Sequence, residues 1–237
     1  MSMLTECLMK FASRLRTTPA DAAQPVRSCS GKVAGNTPLQ NCPFVVVDTE
    51  LSGLDVKKDF IVSVGALKMS GGTIHISKEF YRLIRPKGEL TKKSVEIHGI
   101  TPGELNGEAG MEQIMSEFLD FTRDAVIVGH FLHLDLSFLN RELKRQFSRK
   151  LPNPAVDTQK IYEWLHENSM DFRKHYPGGP VKTDLFSLAN RYGVSVNTVH
   201  NALSDSFITA QLFQKFLYFL KTEGIITLND LVDIGRA

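Results

Sequence analysis

The sequence is short of the residues that build covalently tied or zinc-tied scaffolds. Among 237 residues there are three cysteines, Cys7, Cys29 and Cys42, and no two form a CxxC pair. An odd, scattered set argues against a disulfide framework and fits a reducing compartment. No apolar run approaches the ~18 residues of a membrane span. Glu6 and Lys10 break the apolar residues at the start, where a signal peptide would need a continuous core. The expectation is a soluble, cytoplasmic protein with no membrane association. Neither sign of charge dominates: 28 Lys and Arg against 26 Asp and Glu leave +2, too mild to announce nucleic acid by charge alone. Glycine and proline are at ordinary levels, 17 and 10, which excludes collagen and a wholly disordered chain.

What is present divides into three stretches. Residues 1–40 are basic and rich in Ser, Ala, Gly and Pro, and read as a weakly ordered arm with a short helix around Leu4 to Leu15. Residues 41–222 carry the regular pattern. Phe44-Val45-Val46-Val47 reads as a buried strand. Phe60 to Met69 and Thr73 to Ile84 read as two more, joined by a Gly71-Gly72 turn into an antiparallel meander. Met111, Ile114, Met115, Phe118 and Leu119 have helical spacing. Ala125 to Val128 reads as a fourth strand. Leu136, Leu139, Leu143 and Phe147 mark a helix whose other face is basic, with Arg141, Lys144, Arg145 and Arg149. Gln159 to His166, Asp184 to Tyr192 and Asn201 to Leu220 complete the helices. In residues 223–237, Thr227 and Asp230 form a capping pair for a helical cap. A meander followed by strand–helix alternation implies an α/β fold, a mixed sheet with helices packed on it.

Carboxylates stand where they are energetically expensive. Asp48 and Glu50 follow the valine run directly and share one side of the strand. Buried carboxylates need a partner or a metal, and two together repel unless a cation lies between them; the alternative is a solvated pair opening the next loop. Asp135 follows the strand ending at Gly129-His130, at the carboxyl end where open α/β sheets hold ligands; the alternative is a helix N-cap. Asp205 lies in a helix that is apolar on two faces, with no Lys or Arg at hand, so a cation is its cheapest compensation; the alternative is an acid placed for the helix dipole. His200, five residues earlier, suits proton abstraction near neutrality.

Asp48-Thr49-Glu50, then Gly129-His130 through Asp135, then His200-Asn201-Ala202-Leu203-Ser204-Asp205 resemble, in this order, the DEDDh (DnaQ-like) family of 3′→5′ exonucleases, which includes the proofreading epsilon subunit of bacterial DNA polymerase III. The resemblance runs from about Pro43 to Phe219, and His98-Gly99-Ile100-Thr101 and Val156-Asp157-Thr158 also fit it. It implies a ribonuclease H-like fold with a five-stranded sheet. It implies Asp48, Glu50, Asp135 and Asp205 as ligands of two Mg²⁺ or Mn²⁺ ions and His200 as general base, with Thr49, Leu51, Gly53, His98 and Phe131 at the substrate wall. It implies hydrolysis from the 3′ end of single-stranded DNA or RNA to nucleoside 5′-monophosphates, with a DNA polymerase as a further partner. Leu51-Ser52-Gly53 replaces the family's usual Thr-Thr-Gly, and Phe131 and Leu134 replace an Asn and an aromatic.

Three other readings stand beside this one. An RNA exonuclease of the ribonuclease T or oligoribonuclease type shares every feature, since discrimination by the 2′-hydroxyl depends on pocket geometry. A non-catalytic scaffold would be marked by loss of a carboxylate or of His200, and none is lost. A two-carboxylate glycosidase built on Asp48 and Glu50 leaves Asp135, His200 and Asp205 unexplained. Asp157 is a candidate for holding a loop near the site, His130 for buttressing its turn, and Cys42 for filler.

Overall fold

Strand β1 (Pro43–Leu51) is the centre of the molecule. It pairs antiparallel with β2 (Ile61–Ser70), which turns at Gly71, φ +52°, into antiparallel β3 (Thr73–Leu83). On its other side β1 pairs parallel with β4 (Val126–Gly129), and β4 pairs parallel with β5 (Ala155–Asp157). The sheet order is β3-β2-β1-β4-β5, the mixed five-stranded sheet that the sequence implied. The computed structural model describes residues 33–86, 88–179, 182–196 and 200–237; the helix expected at 4–15 lies outside them.

Helices α1 (Lys92–His98), α2 (Pro102–Leu105) and α3 (Met111–Phe121) lie between β3 and β4. Helix α4 (His133–Phe147) links β4 to β5. Helices α5 (Thr158–Asn168), α6 (Met170–His175), α7 (Leu185–Arg191), α8 (Ala202–Thr222) and α9 (Leu228–Gly235) follow. Burial on both faces explains why β1 reads as an unbroken apolar run rather than an alternating one. Phe44 and Val46 face α8, where the Phe44 and Phe213 rings meet edge-on at 5.1 Å. Val45 and Val47 face the opposite way, onto Ile114 and Phe118 of α3 and Phe138 and Leu139 of α4. Two-residue periodicity therefore puts Asp48 and Glu50 on the α8 side and Thr49 on the α4 side.

The first described residues pair with the segment that opens the last helix. Leu39 N donates to Ile226 O at 2.8 Å and Leu228 N to Thr37 O at 3.0 Å, and Leu39, Leu228 and Leu231 join the core beneath α8. Residues before Phe44 and the C-terminal helix thus share the main core. Sequence reading misses this because the pairing links segments almost two hundred residues apart. Cys42 is buried, and burial pushes its thiol up to about 11, so it is inert filler.

Candidate active site

The site is made by laying the start of α8 on the β1–β2 pair. Gly65 of β2 lies directly opposite Asp48. A Cβ at Gly65 would sit 2.2 Å from the Ala202 carbonyl carbon and the Leu203 nitrogen. Only glycine lets the helix backbone come this close. Ser206 Oγ fixes the approach, 2.9 Å from Gly65 O and 2.8 Å from Ala202 O. Asn201 caps the helix by accepting from Leu203 N and Ser204 N, and its amide donates to the Tyr81 hydroxyl of β3 at 3.1 Å. One turn in, Asp205 then faces the sheet, and ligand oxygens of Asp48, Glu50 and Asp205 lie within 4.8 Å of one another.

No Lys or Arg neutralises this trio among the described residues. Glu50 and Asp205 are 7% and 4% exposed, and Glu50 Oε1 and Asp205 Oδ1 are buried without any hydrogen-bond partner. Burial, with Asp205 and Asp135 nearby, pushes Glu50 up to about 7. Burial, then Asp135, Asp205 and Glu50, hold Asp48 well above the usual carboxylate range. Burial raises Asp205 to about 6 despite the opposing pull of His200. Like charges held together and short of donors fit a divalent cation. The donors are all oxygen, which suits Mg²⁺ or Mn²⁺ better than zinc.

Asp135 enters from the other face. Thr49 Oγ1 donates to its Oδ1 at 2.6 Å, so the hydroxyl expected at the substrate wall is already engaged in positioning a carboxylate. Burial raises Asp135 to about 7 while the Thr49 bond opposes. Asp135 lies within the first turn of α4 and makes no cap bond; Leu132 occupies the N-cap position. The N-cap alternative is therefore excluded. His200 is half exposed, with Nδ1 3.4 Å from Asp205 Oδ2 and its ring edge-on to Phe186 at 4.7 Å.

A second carboxylate shapes the β4–α4 turn. Asp157, 1% exposed, accepts from Phe131 N at 3.0 Å, Leu132 N at 2.9 Å and Gln159 N at 2.9 Å. This clamp holds Phe131 at φ +51°, a left-handed conformation that costs a bulky residue roughly 1–2 kcal/mol. The ring is left 38% exposed. Asn tolerates this conformation far better than Phe, so the replacement noted in the sequence has a backbone consequence. His130 buttresses the turn: Nε2 donates to Thr183 O at 2.6 Å and Nδ1 lies 2.9 Å from Thr158 Oγ1. His98 is buried; its Nδ1 accepts from Ile100 N at 3.0 Å, and Nε2 has no partner. Leu51 packs partly into the α3–α4 core. A Cβ at Gly53 would meet the Asp59 carboxylate at 2.4 Å.

The family model described as Exonuclease, of the RNase T type, matches residues 45–213. The chain belongs to the RNase T/DnaQ-like exonuclease family. This exonuclease is 34% identical over 174 residues to the DNA polymerase III subunit epsilon of Aquifex aeolicus, covering 73% of this chain and 80% of that one. It is 34% identical over 188 residues to the PolC-type DNA polymerase III of Thermotoga maritima, covering 79% of this chain but 13% of that protein. Among solved structures, E. coli Exonuclease I in complex with a dT13 oligonucleotide superimposes with a TM-score of 0.66 at 15% identity, over 78% of this chain and 43% of that one. Exonuclease X in complex with 5′ overhanging duplex DNA gives 0.56 at 21% identity, over 81% and 98%. These likenesses show the ribonuclease H-like exonuclease fold. No helix of the described residues is long and apolar enough to cross a membrane.

Proposed function

We propose that this exonuclease removes nucleotides stepwise from the 3′ end of single-stranded DNA, releasing nucleoside 5′-monophosphates. The observation that carries the reading is the acidic trio Asp48, Glu50 and Asp205, in which buried Glu50 and Asp205 each keep an oxygen with no partner among the described residues, beside a solvent-facing imidazole. Asp48, Glu50, Asp135 and Asp205 would hold two ions of the Mg²⁺ or Mn²⁺ type, which supply Lewis-acid polarisation and water activation when bound. His200 faces both Asp205 and solvent, where it can take the proton of the attacking water and release it to bulk. His98 would meet the strand end only through a shift that uncovers its buried, unpartnered Nε2. Phe131 offers its exposed ring for a base to stack on. The similarity to an epsilon subunit makes association with a polymerase part of this reading.

The test uses DNA and RNA oligonucleotides labelled at either end, with Mg²⁺ or Mn²⁺ and with chelator. Ladder-like shortening from the 3′ end that stops in chelator is expected. His200→Ala should lower the rate by roughly 10²–10⁴-fold while leaving cation affinity intact. Release from the 5′ end, or turnover that persists in chelator, overturns the reading, and the RNA arm decides the sugar preference.

A further inference from the structure

The basic helix face read from the sequence does not survive as one surface. Arg141, 15% exposed, turns inward: it bonds Glu142 at 2.8 Å, the Asp59 carbonyl at 2.7 Å and the Val56 carbonyl, and lies over the Phe138 ring. It ties α4 to the β1–β2 loop and closes one wall of a cavity of about 200 Å³. Lys57, Lys58, Arg85 and Arg145 line that cavity with two acids, Asp59 and Glu142. Both acids are already engaged. Glu142, 2% exposed, accepts from Arg141 and Arg145. Asp59 accepts from Ser52 Oγ and Asp55 N. Lys57 and Arg85 have no acidic partner among the described residues, and Lys58 meets Asp55 only at 3.5 Å with its side chain 83% exposed. The cavity therefore presents uncompensated positive charge around an opening large enough for a phosphate group.

Its position relates it to the carboxylates. Ile61 in its lining pairs with Leu51, the residue after Glu50. Arg141 follows Asp135 by six residues on α4, about 9 Å along the helix axis. We propose that this cavity is a phosphate site for the substrate strand, holding backbone phosphates upstream of the bond being cut. The inference rests on the proposed function for its ligand class.

Anisotropy of a 5′-labelled oligothymidylate of about 15 nucleotides, measured in chelator with the full chain, tests this without requiring cleavage. Lys57→Glu combined with Arg85→Glu should raise Kd about tenfold and reduce the salt slope by about 1.4, the value for two single-strand phosphates. Lys174→Glu combined with Lys221→Glu makes the same change of net charge in the last turns of α6 and α8, and should move Kd by less than about twofold. Equal effects of the two pairs overturn the proposal. So does a cavity pair that binds the strand normally while losing competition by a nucleoside monophosphate, since the ligand is then a free nucleotide. A tenfold loss of binding confined to the cavity pair upholds it even if the wild-type chain cuts nothing, an outcome that would sink the proposed function alone.

Discussion

Removing divalent cations should make this protein less stable as pH rises, and restoring them should reverse the trend. Burial, with repulsion from Asp205 and Asp135, raises Glu50 from 4.5 to about 7, and burial raises Asp135 to about 7 and Asp205 to about 6. A raised acid binds its proton more tightly in the folded state than in the unfolded one. Stability is therefore highest below the unfolded pKa, near 4, and is lost as pH climbs through the folded values of about 6 to 7. Each pKa unit is worth about 1.4 kcal/mol, so Glu50 alone costs on the order of 3 kcal/mol above pH 8. For a domain of this size that corresponds to roughly 6–12 °C in Tm. His98 and His130, whose burial lowers their pKa, act oppositely below about pH 6.5. The informative quantity is thus the Tm gap between Mn²⁺ and chelator, in which the histidine contribution cancels. Differential scanning calorimetry from pH 5 to 8 should show that gap widening steadily, and Asp205→Asn should flatten it. Parallel curves with and without cation would refute the reasoning.

Other outcomes follow from single contacts. Gly65→Ala drives a methyl into the α8 backbone; overpacking of this kind costs about 1–3 kcal/mol. It should abolish turnover and weaken Mn²⁺ binding while far-ultraviolet circular dichroism stays native, and wild-type activity would remove Gly65 from the account. Asp157→Asn removes a buried carboxylate that accepts three N–H groups, worth about 1.5–3 kcal/mol where a charged acceptor is lost. It should lower Tm and raise KM for the oligonucleotide as Phe131 escapes its strained pose. Thr49→Val removes the bond that favours ionised Asp135, so the acid limb of Mn²⁺ binding should move to higher pH; an unmoved limb counts against the contact.

The carboxylates were legible because each broke a strong local pattern: two acids closing a valine run, and an acid inside a helix apolar on two faces. The helix starting at Asn201 was legible through its cap and its stripes. What escaped notice depends on register. Nothing local in Val64-Gly65-Ala66 says which backbone approaches Gly65, although a glycine inside a β-branched strand is a general sign of such an approach. The resemblance puts Thr49 at the substrate wall, and strand alternation adds a contact that no motif announces, its hydroxyl turned toward α4 and Asp135. Strand β5 has three residues, too few for any periodicity, and its role as the seat of the Asp157 clamp appears only once it pairs with β4. The cap alternative for Asp135 arises because Leu136 reads as the start of the helix, which begins at His133.

A crystal of the full chain soaked in Mn²⁺, with an anomalous difference map collected at the manganese edge, addresses the core of the account. Strong peaks should lie between Asp48, Glu50 and Asp205, with Asp135 reaching a second ion or its water. A map with no peak there, or with a lysine or arginine side chain drawn into the space, would contradict it.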